Sequence, residues 1–148
     1  MMPYFVHTPK SITMKKVNIS EPESSGKNSM LNPDSSSNQE LEKSKVHIIV
    51  EIIEYVPNAV VSKTIIKKTS GNITISSFAS GEELAEKSSP YDTYVQIIDG
   101  TAEVVINDKK YQLRLGEGII IPAKVLHCFN ATVQFKMIST VIKTRRVN

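Results

Sequence analysis

The 148-residue sequence contains no tryptophan, a single cysteine and only 6% aromatic residues. One cysteine excludes an intramolecular disulfide and favours a reducing compartment. No apolar run approaches the roughly 18 residues that a membrane-spanning helix needs, and the N-terminus lacks the apolar core of a secretory signal. These absences predict a cytoplasmic protein that contacts no membrane.

The chain also lacks a strong charge of either sign. Its formal net charge is +3, which is small for this length. The basic residues form no stripe interleaved with aromatic side chains, which is the surface that a nucleic-acid-binding domain presents. We therefore expect no nucleic-acid partner.

The large apolar residues are unevenly distributed along the chain. Residues 18–45 are rich in Ser, Asn, Pro and charge, and they show no apolar period of 2 or 3.6. Such a segment cannot bury enough surface to offset its ordering entropy. The composition predicts a disordered tail over residues 1–45 and one folded domain over residues 46–148.

The folded part reads as short β-branched segments separated by turn residues, with no amphipathic helix. Turns are predicted at Pro57-Asn58, Asp99-Gly100 and Asn107-Asp108, and a loop over Gly81–Pro90. The first segment, Val46–Val56, is interpreted as an edge strand, with a short helix as the alternative. The other predicted strands cover residues 60–68, 73–78, 94–98, 101–106, 111–115, 119–121, 125–130 and 133–142. This pattern is typical of an all-β protein with an antiparallel sandwich or barrel.

Two motifs then select one kind of barrel. Gly81 and Gly100 bracket the first, and Gly116-Glu-Gly-Ile-Ile-Ile-Pro122-Ala-Lys-Val-Leu-His127 is the second. They resemble the signature motifs of the cupin superfamily, G-x5-H-x-H-x3-4-E-x6-G and G-x5-P-x-G-x2-H-x3-N. The resemblance extends over residues 60–142 and implies a jelly-roll β-barrel.

The metal-binding positions of the first motif are changed in this chain. In cupins two His and one Glu of the first motif, with the His of the second, hold a divalent metal. Their places are taken by Lys87, Ser89 and Thr93, and only His127 is retained. A first-row divalent ion usually needs at least three good protein ligands, and a lysine ammonium repels it. The resemblance therefore implies a degenerate metal motif, with no metal and no other cofactor.

The altered positions could still line a pocket. Strand alternation would turn Lys87, Ser89 and Thr93 toward the barrel interior, with His127 inside and Cys128 outside. An interior lysine and a histidine are candidate catalytic groups, since burial lowers the pKa of lysine and histidine titrates near neutrality. The alternatives are a surface position for Lys87 and a purely packed role for His127. The predicted ligand pocket consists of Lys87, Ser89, Thr93, Val95, His127 and Phe129.

The sequence therefore favours a barrel that binds a small polar or anionic molecule without metal. Two alternatives stay open: a divalent-metal-dependent oxygenase or isomerase with atypical ligands, and a structural or sensory protein with a decayed site. The residues leave open whether the protein is an enzyme. Val46–Val56 is apolar on both faces, and an unpaired strand of this kind invites association. We therefore expect a homodimer in which a partner copy covers this strand.

Overall fold

The computed structural model describes residues 39–144, which contain nine β-strands and one short 3-10 helix. The predicted all-β fold is confirmed. Within residues 39–144, no helix is long and apolar enough to cross a membrane. The helix is Ile49–Glu51, and the strands are β1 Val60–Lys68, β2 Gly71–Phe78, β3 Glu83–Lys87, β4 Thr93–Gly100, β5 Ala102–Ile106, β6 Lys109–Leu113, β7 Gly118–Ile121, β8 His127–Asn130 and β9 Phe135–Ile142.

The strands form two antiparallel sheets that pack face to face. The five-stranded sheet has the order β1-β2-β9-β4-β7, and the four-stranded sheet has the order β3-β8-β5-β6. Consecutive strands therefore often lie in different sheets, as in a jelly roll. The inner faces of both sheets supply the core, which contains Phe78, Val95, Ile97, Ala102, Val104, Ile106, Leu113, Ile121, Phe129, Ala131, Phe135 and Met137.

Alternation along each strand decides which side chains enter this core. In β5 the buried residues are Ala102, Val104 and Ile106, with partly exposed residues between them. In β8 His127 and Phe129 are buried while Cys128 and Asn130 are half-buried. The predicted inward direction of His127 and Phe129 is thus confirmed.

The predicted strand Val46–Val56 is wrong. This stretch contains only the 3-10 helix and belongs to a covering segment, residues 46–59, that lies on the outer face of the five-stranded sheet. The Ser77 hydroxyl donates to the Glu54 carbonyl at 2.8 Å, and the Lys136 ammonium donates to the Val50 carbonyl at 2.6 Å. Ile53 and Ala59 of the segment are buried while Val46 and Ile48 are exposed, and Ile75 is fully buried although it faces outward.

The side chain of Lys136 is buried where the covering segment contacts the sheet. The Lys136 ammonium lies 4.9 Å from the centre of the Tyr55 ring, and the Tyr55 hydroxyl donates to Asp99 at 2.6 Å. Burial lowers the pKa of Lys136, while the carboxylate of Asp99 acts in the opposite direction. These contacts hold the segment on the sheet.

Two smaller predictions are corrected in the same way. The predicted loop Gly81–Pro90 contains strand β3, because its backbone pairs with β8. Ile119, Ile120 and Ile121 form a fully apolar run, which is typical of a strand buried on both sides, but the Ile120 side chain is 64% exposed. Strand β7 is an edge strand, and its outer face is open there.

The last residues of the predicted tail lie against the barrel. The Glu40 carboxylate accepts from the Lys67 backbone at 2.5 Å, and the Leu41 amide donates to the Ile65 carbonyl at 3.1 Å. The remainder of the predicted tail, residues 1–38, lies outside the described residues. The homodimer and the cytoplasmic location stay predictions, although the strand proposed to mediate the dimer is absent.

Candidate functional site

The interior of the barrel is apolar at one end. In the five-stranded sheet Phe78 pairs with Phe135, and their rings stack with centroids 4.3 Å apart. Phe129 of the opposite sheet lies 6.1 Å from Phe78. All three rings are almost completely buried, so this end is closed.

The other end, which we call the mouth, is polar. The β1–β2, β3–β4, β5–β6 and β7–β8 connections lie there. Direct pairing places the interior side chains of each sheet in rows across the strands. The mouth row of the five-stranded sheet is Lys67, Asn72, Val141, Thr93 and Ile121. The mouth row of the four-stranded sheet is Lys87, His127, Ile106 and Lys109.

His127 is the central group of the mouth row on β8. Its side chain is buried, with 4% exposure, and its ring lies edge-on to Phe129 at 6.0 Å. Nδ1 lies 3.2 Å from the Val125 carbonyl oxygen, which can only accept. In the neutral ring Nδ1 therefore carries the proton and Nε2 keeps its lone pair. Nε2 has no hydrogen-bond partner within residues 39–144.

Asn72 supplies a second unpartnered polar atom in the facing row. Its Oδ1 is buried and has no hydrogen-bond partner among the described residues. A buried amide oxygen without a partner costs about 1–3 kcal/mol. Asn72 Oδ1 is therefore a candidate acceptor for a hydrogen bond from a water molecule or a ligand.

Hydroxyl groups line the interior from the mouth row toward the closed end. Thr93 and Thr64 are each 8% exposed, and Thr74 pairs with Ser139 in the next row. Further in, the hydroxyls of Ser62 and Ser76 lie 2.7 Å apart. A hydroxyl can donate or accept, so this wall can adapt to either kind of ligand group.

The predicted pocket residues fall into two groups. Thr93, Val95, His127 and Phe129 are buried in the barrel. Lys87 stands opposite His127 in the register, but its side chain is exposed, so the expected interior position of its ammonium is wrong. Ser89 is also outside the interior. It lies in the β3–β4 loop, where its hydroxyl accepts from the Tyr91 amide at 3.1 Å.

The two motifs do not identify Asn72, Lys67 or Lys109, because they contain no residues of β1, β2 or β6. For Asn72 a signal was available. Extending the period-2 pattern of Thr74, Ser76 and Phe78 back by one step reaches Asn72 on the same face. No sequence pattern indicates the inward position of Lys67, because a β-bulge between Thr64 and Ile66 reverses the side of the sheet on which the following residues lie.

The residues at the mouth do not fit a divalent metal. His127 is an imidazole ligand, but the neighbouring motif positions provide a buried threonine hydroxyl, a serine hydroxyl already used in the loop, and an exposed ammonium. Within residues 39–144 no group of three or more His, Cys, Asp or Glu side chains is placed to hold a metal ion. One good ligand is too few for a first-row metal.

Comparison with known proteins agrees with the fold. The family model described as a cupin domain matches residues 74–141. Protein SchB from Streptomyces halstedii is 33% identical over 75 residues, which make up 50% of this chain and 54% of that protein. The chain thus spans about half the length of this curated relative.

Solved structures with similar folds cover most of the described domain. A conserved protein of unknown function from Streptococcus pyogenes is 29% identical, with a TM-score of 0.69 over 73% of this chain and 95% of that one. A cupin superfamily protein from Desulfitobacterium hafniense is 25% identical, with a TM-score of 0.67 over 72% and 97%. With its two motifs in order on a two-sheet antiparallel barrel, the part of the chain that the family model matches, residues 74–141, is a cupin domain.

Proposed function

We propose that the barrel binds a small polar molecule at its mouth through hydrogen bonds, without a metal ion. The observation that carries the proposal is the pair of unpartnered polar atoms in facing rows, His127 Nε2 and Asn72 Oδ1. Asn72 Oδ1 is fully buried and costly to leave without a donor, and His127 Nε2 is a second acceptor without a partner within residues 39–144. A ligand that donates hydrogen bonds would satisfy both.

The rest of the interior suits this use. Below the polar atoms lie apolar residues such as Val95, Ile97 and Phe129, each at most 3% exposed. A mostly apolar cavity with a few directed polar groups is the usual form of a small-molecule site. The Nε2 lone pair accepts, so the ligand should present a hydroxyl or another donor to His127.

Acid–base catalysis by a Lys–His pair is a weaker interpretation of the same residues. It needs a lysine inside the barrel, and Lys87 is exposed. His127 alone has an arrangement that could take up a proton, because Nδ1 is bonded to a carbonyl and Nε2 has no partner within residues 39–144. The proposal is therefore for binding, with His127 as the residue that contacts the ligand.

The proposal predicts that His127→Leu abolishes binding and preserves the fold. Leucine fills a similar apolar volume and removes Nε2, so the expected loss is at least about tenfold in affinity. The measurement is a thermal-shift and NMR titration with a panel of small sugars, polyols and their acids. His47→Leu is the matched control, because the His47 ring bonds the Glu42 carbonyl at 3.0 Å, away from the mouth. Ligands that bind both variants as they bind wild type would contradict the proposal.

A further inference from the structure

We infer that the bound molecule carries an anionic group and that Lys67, Lys87 and Lys109 hold this group at the mouth. The inference rests on the proposed function and adds two properties of the ligand, its charge and the position of that charge. It concerns residues that lie outside the family motifs, apart from Lys87.

The three lysines occupy interior-facing positions at the open end of the barrel. Lys67 pairs directly with Asn72, and Lys87 pairs directly with His127. Lys109 pairs with Ile106, which is itself the partner of His127 on its other side. All three side chains are exposed. The register therefore places the three lysines in the mouth rows of both sheets, beside His127 and Asn72, with their side chains exposed to solvent.

The ammonium groups of this set are not paired with a carboxylate in the described part of the chain. Within residues 39–144 none of the three lysines forms an ion pair, and the Lys109 ammonium lies 5.5 Å from the centre of the Tyr111 ring. In the nine strands no Asp or Glu takes an interior-facing position in the register.

Two of these lysines are followed in the sequence by a lysine that does form an ion pair. Lys68, next to Lys67, points outward and pairs with Glu40 at 3.6 Å. Lys110, next to Lys109, also points outward and pairs with Glu103 at 3.5 Å. The two outward lysines thus form ion pairs, whereas the three inward lysines form none within residues 39–144, although the Glu40 carboxylate accepts from the Lys67 backbone. Uncompensated charges of one sign around an opening attract ligands of the opposite sign.

The anionic group belongs at the rim rather than deep in the barrel. Below the mouth rows the interior-facing residues are uncharged, so a buried carboxylate or phosphate would lose its hydration without gaining a cation. A lysine with an exposed head can pair with an anion that stays partly hydrated. The ligand is then bipartite, with donor groups that reach His127 and Asn72 and an anionic end between the lysines.

A phosphate ester and a carboxylate share this chemistry, and the experiment separates them. The probes are D-ribose, D-ribose 5-phosphate and D-ribonate, with D-glucose, D-glucose 6-phosphate and D-gluconate as a longer set. Affinity is measured by NMR titration, with the His127 ring signals as the report on the interior. In 50 mM NaCl we expect an anionic probe of one set to bind at least about tenfold more tightly than its neutral sugar, and most of this advantage to disappear in 1 M NaCl, where the Debye length is about 3 Å.

The variant Lys67→Gln/Lys87→Gln/Lys109→Gln should lose the preference for the anionic probe and keep the weaker binding of the neutral sugar. The control Lys63→Gln/Lys68→Gln/Lys110→Gln removes the same charge from outward-facing positions and should keep the preference. Equal low-salt affinities for neutral and anionic probes, or an equal loss in both variants, would overturn the inference and leave the proposed function standing. Anionic probes that bind without shifting the His127 signals would instead contradict the proposed function. If no probe binds, both are wrong.

Discussion

Gly100→Ala is expected to destabilise the barrel by about 3 kcal/mol or more. Gly100 ends β4 with a φ of +74°, where the chain leaves the five-stranded sheet for the four-stranded one. A Cβ costs roughly 1–2 kcal/mol in this left-handed region. It would also press against the Gln134 carbonyl oxygen and lie 2.9 Å from the Phe135 Cα. Both are backbone atoms of the paired strand and cannot rotate away, so overpacking adds about 1–3 kcal/mol.

Gly116→Ala is the matched control for this effect. Gly116 also has a positive φ, +86°, but nothing lies within 4 Å of the position that its Cβ would take. It should cost the conformational strain alone, about 1–2 kcal/mol. The measurement is urea unfolding of both variants. Equal losses of stability would show that the backbone of Gln134 and Phe135 near Gly100 adds no cost. This glycine of the first motif would then be required only for its backbone angle.

The second large effect is the creation of a metal site. The variant Lys87→His/Ser89→His/Thr93→Glu restores the residues that cupins carry at the first motif. Because Lys87 lies directly opposite His127, its replacement brings a second imidazole to the mouth, and Thr93→Glu adds a carboxylate from the facing sheet. The variant should bind one equivalent of Ni²⁺ or Zn²⁺ where wild type binds none, and metal at 100 times Kd should stabilise it by about 2.7 kcal/mol.

Thr93→Glu alone serves as the control in this experiment. Thr93 is 8% exposed, so a lone carboxylate there is buried without a partner and should lower stability by several kcal/mol or take up a proton. Added metal should not restore this single variant. Calorimetric titration and thermal melting measure both effects. A triple variant that binds no metal would mean that the motif positions do not converge on His127.

Much of the fold was predictable because it depends on local alternation. Turns at Pro57-Asn58 and Asn107-Asp108 form as predicted, and Asn58, Asn107 and Asp108 take positive φ angles. The failure at Val46–Val56 has a physical cause. Apolar residues on two faces indicate burial but not the kind of backbone, and this segment is buried against a sheet face rather than in a ladder.

The site was only partly predictable, because register defects change which residues face inward. His127 and Thr93 lie in regular strands, and simple alternation places them. A bulge in β1 turns Lys67 inward, and another irregularity in β3 precedes Lys87. Such defects have no sequence signal that alternation can read. Alternation in β2 suggests that the face with Ile73 and Ile75 lines the core. In the structure the covering segment lies on that face, and the polar face with Asn72 lines the barrel.

We propose that the mouth is a polar binding site built on His127 rather than a metal centre. The ¹⁵N NMR spectrum of the histidine rings, recorded at pH 8 on wild-type protein purified without chelator, tests this most directly. We expect His127 to be protonated at Nδ1 and unprotonated at Nε2, with signals that do not change with EDTA but shift when a donor-bearing ligand is added. An Nε2 signal of a metal-bound imidazole that EDTA converts to a free one would contradict it.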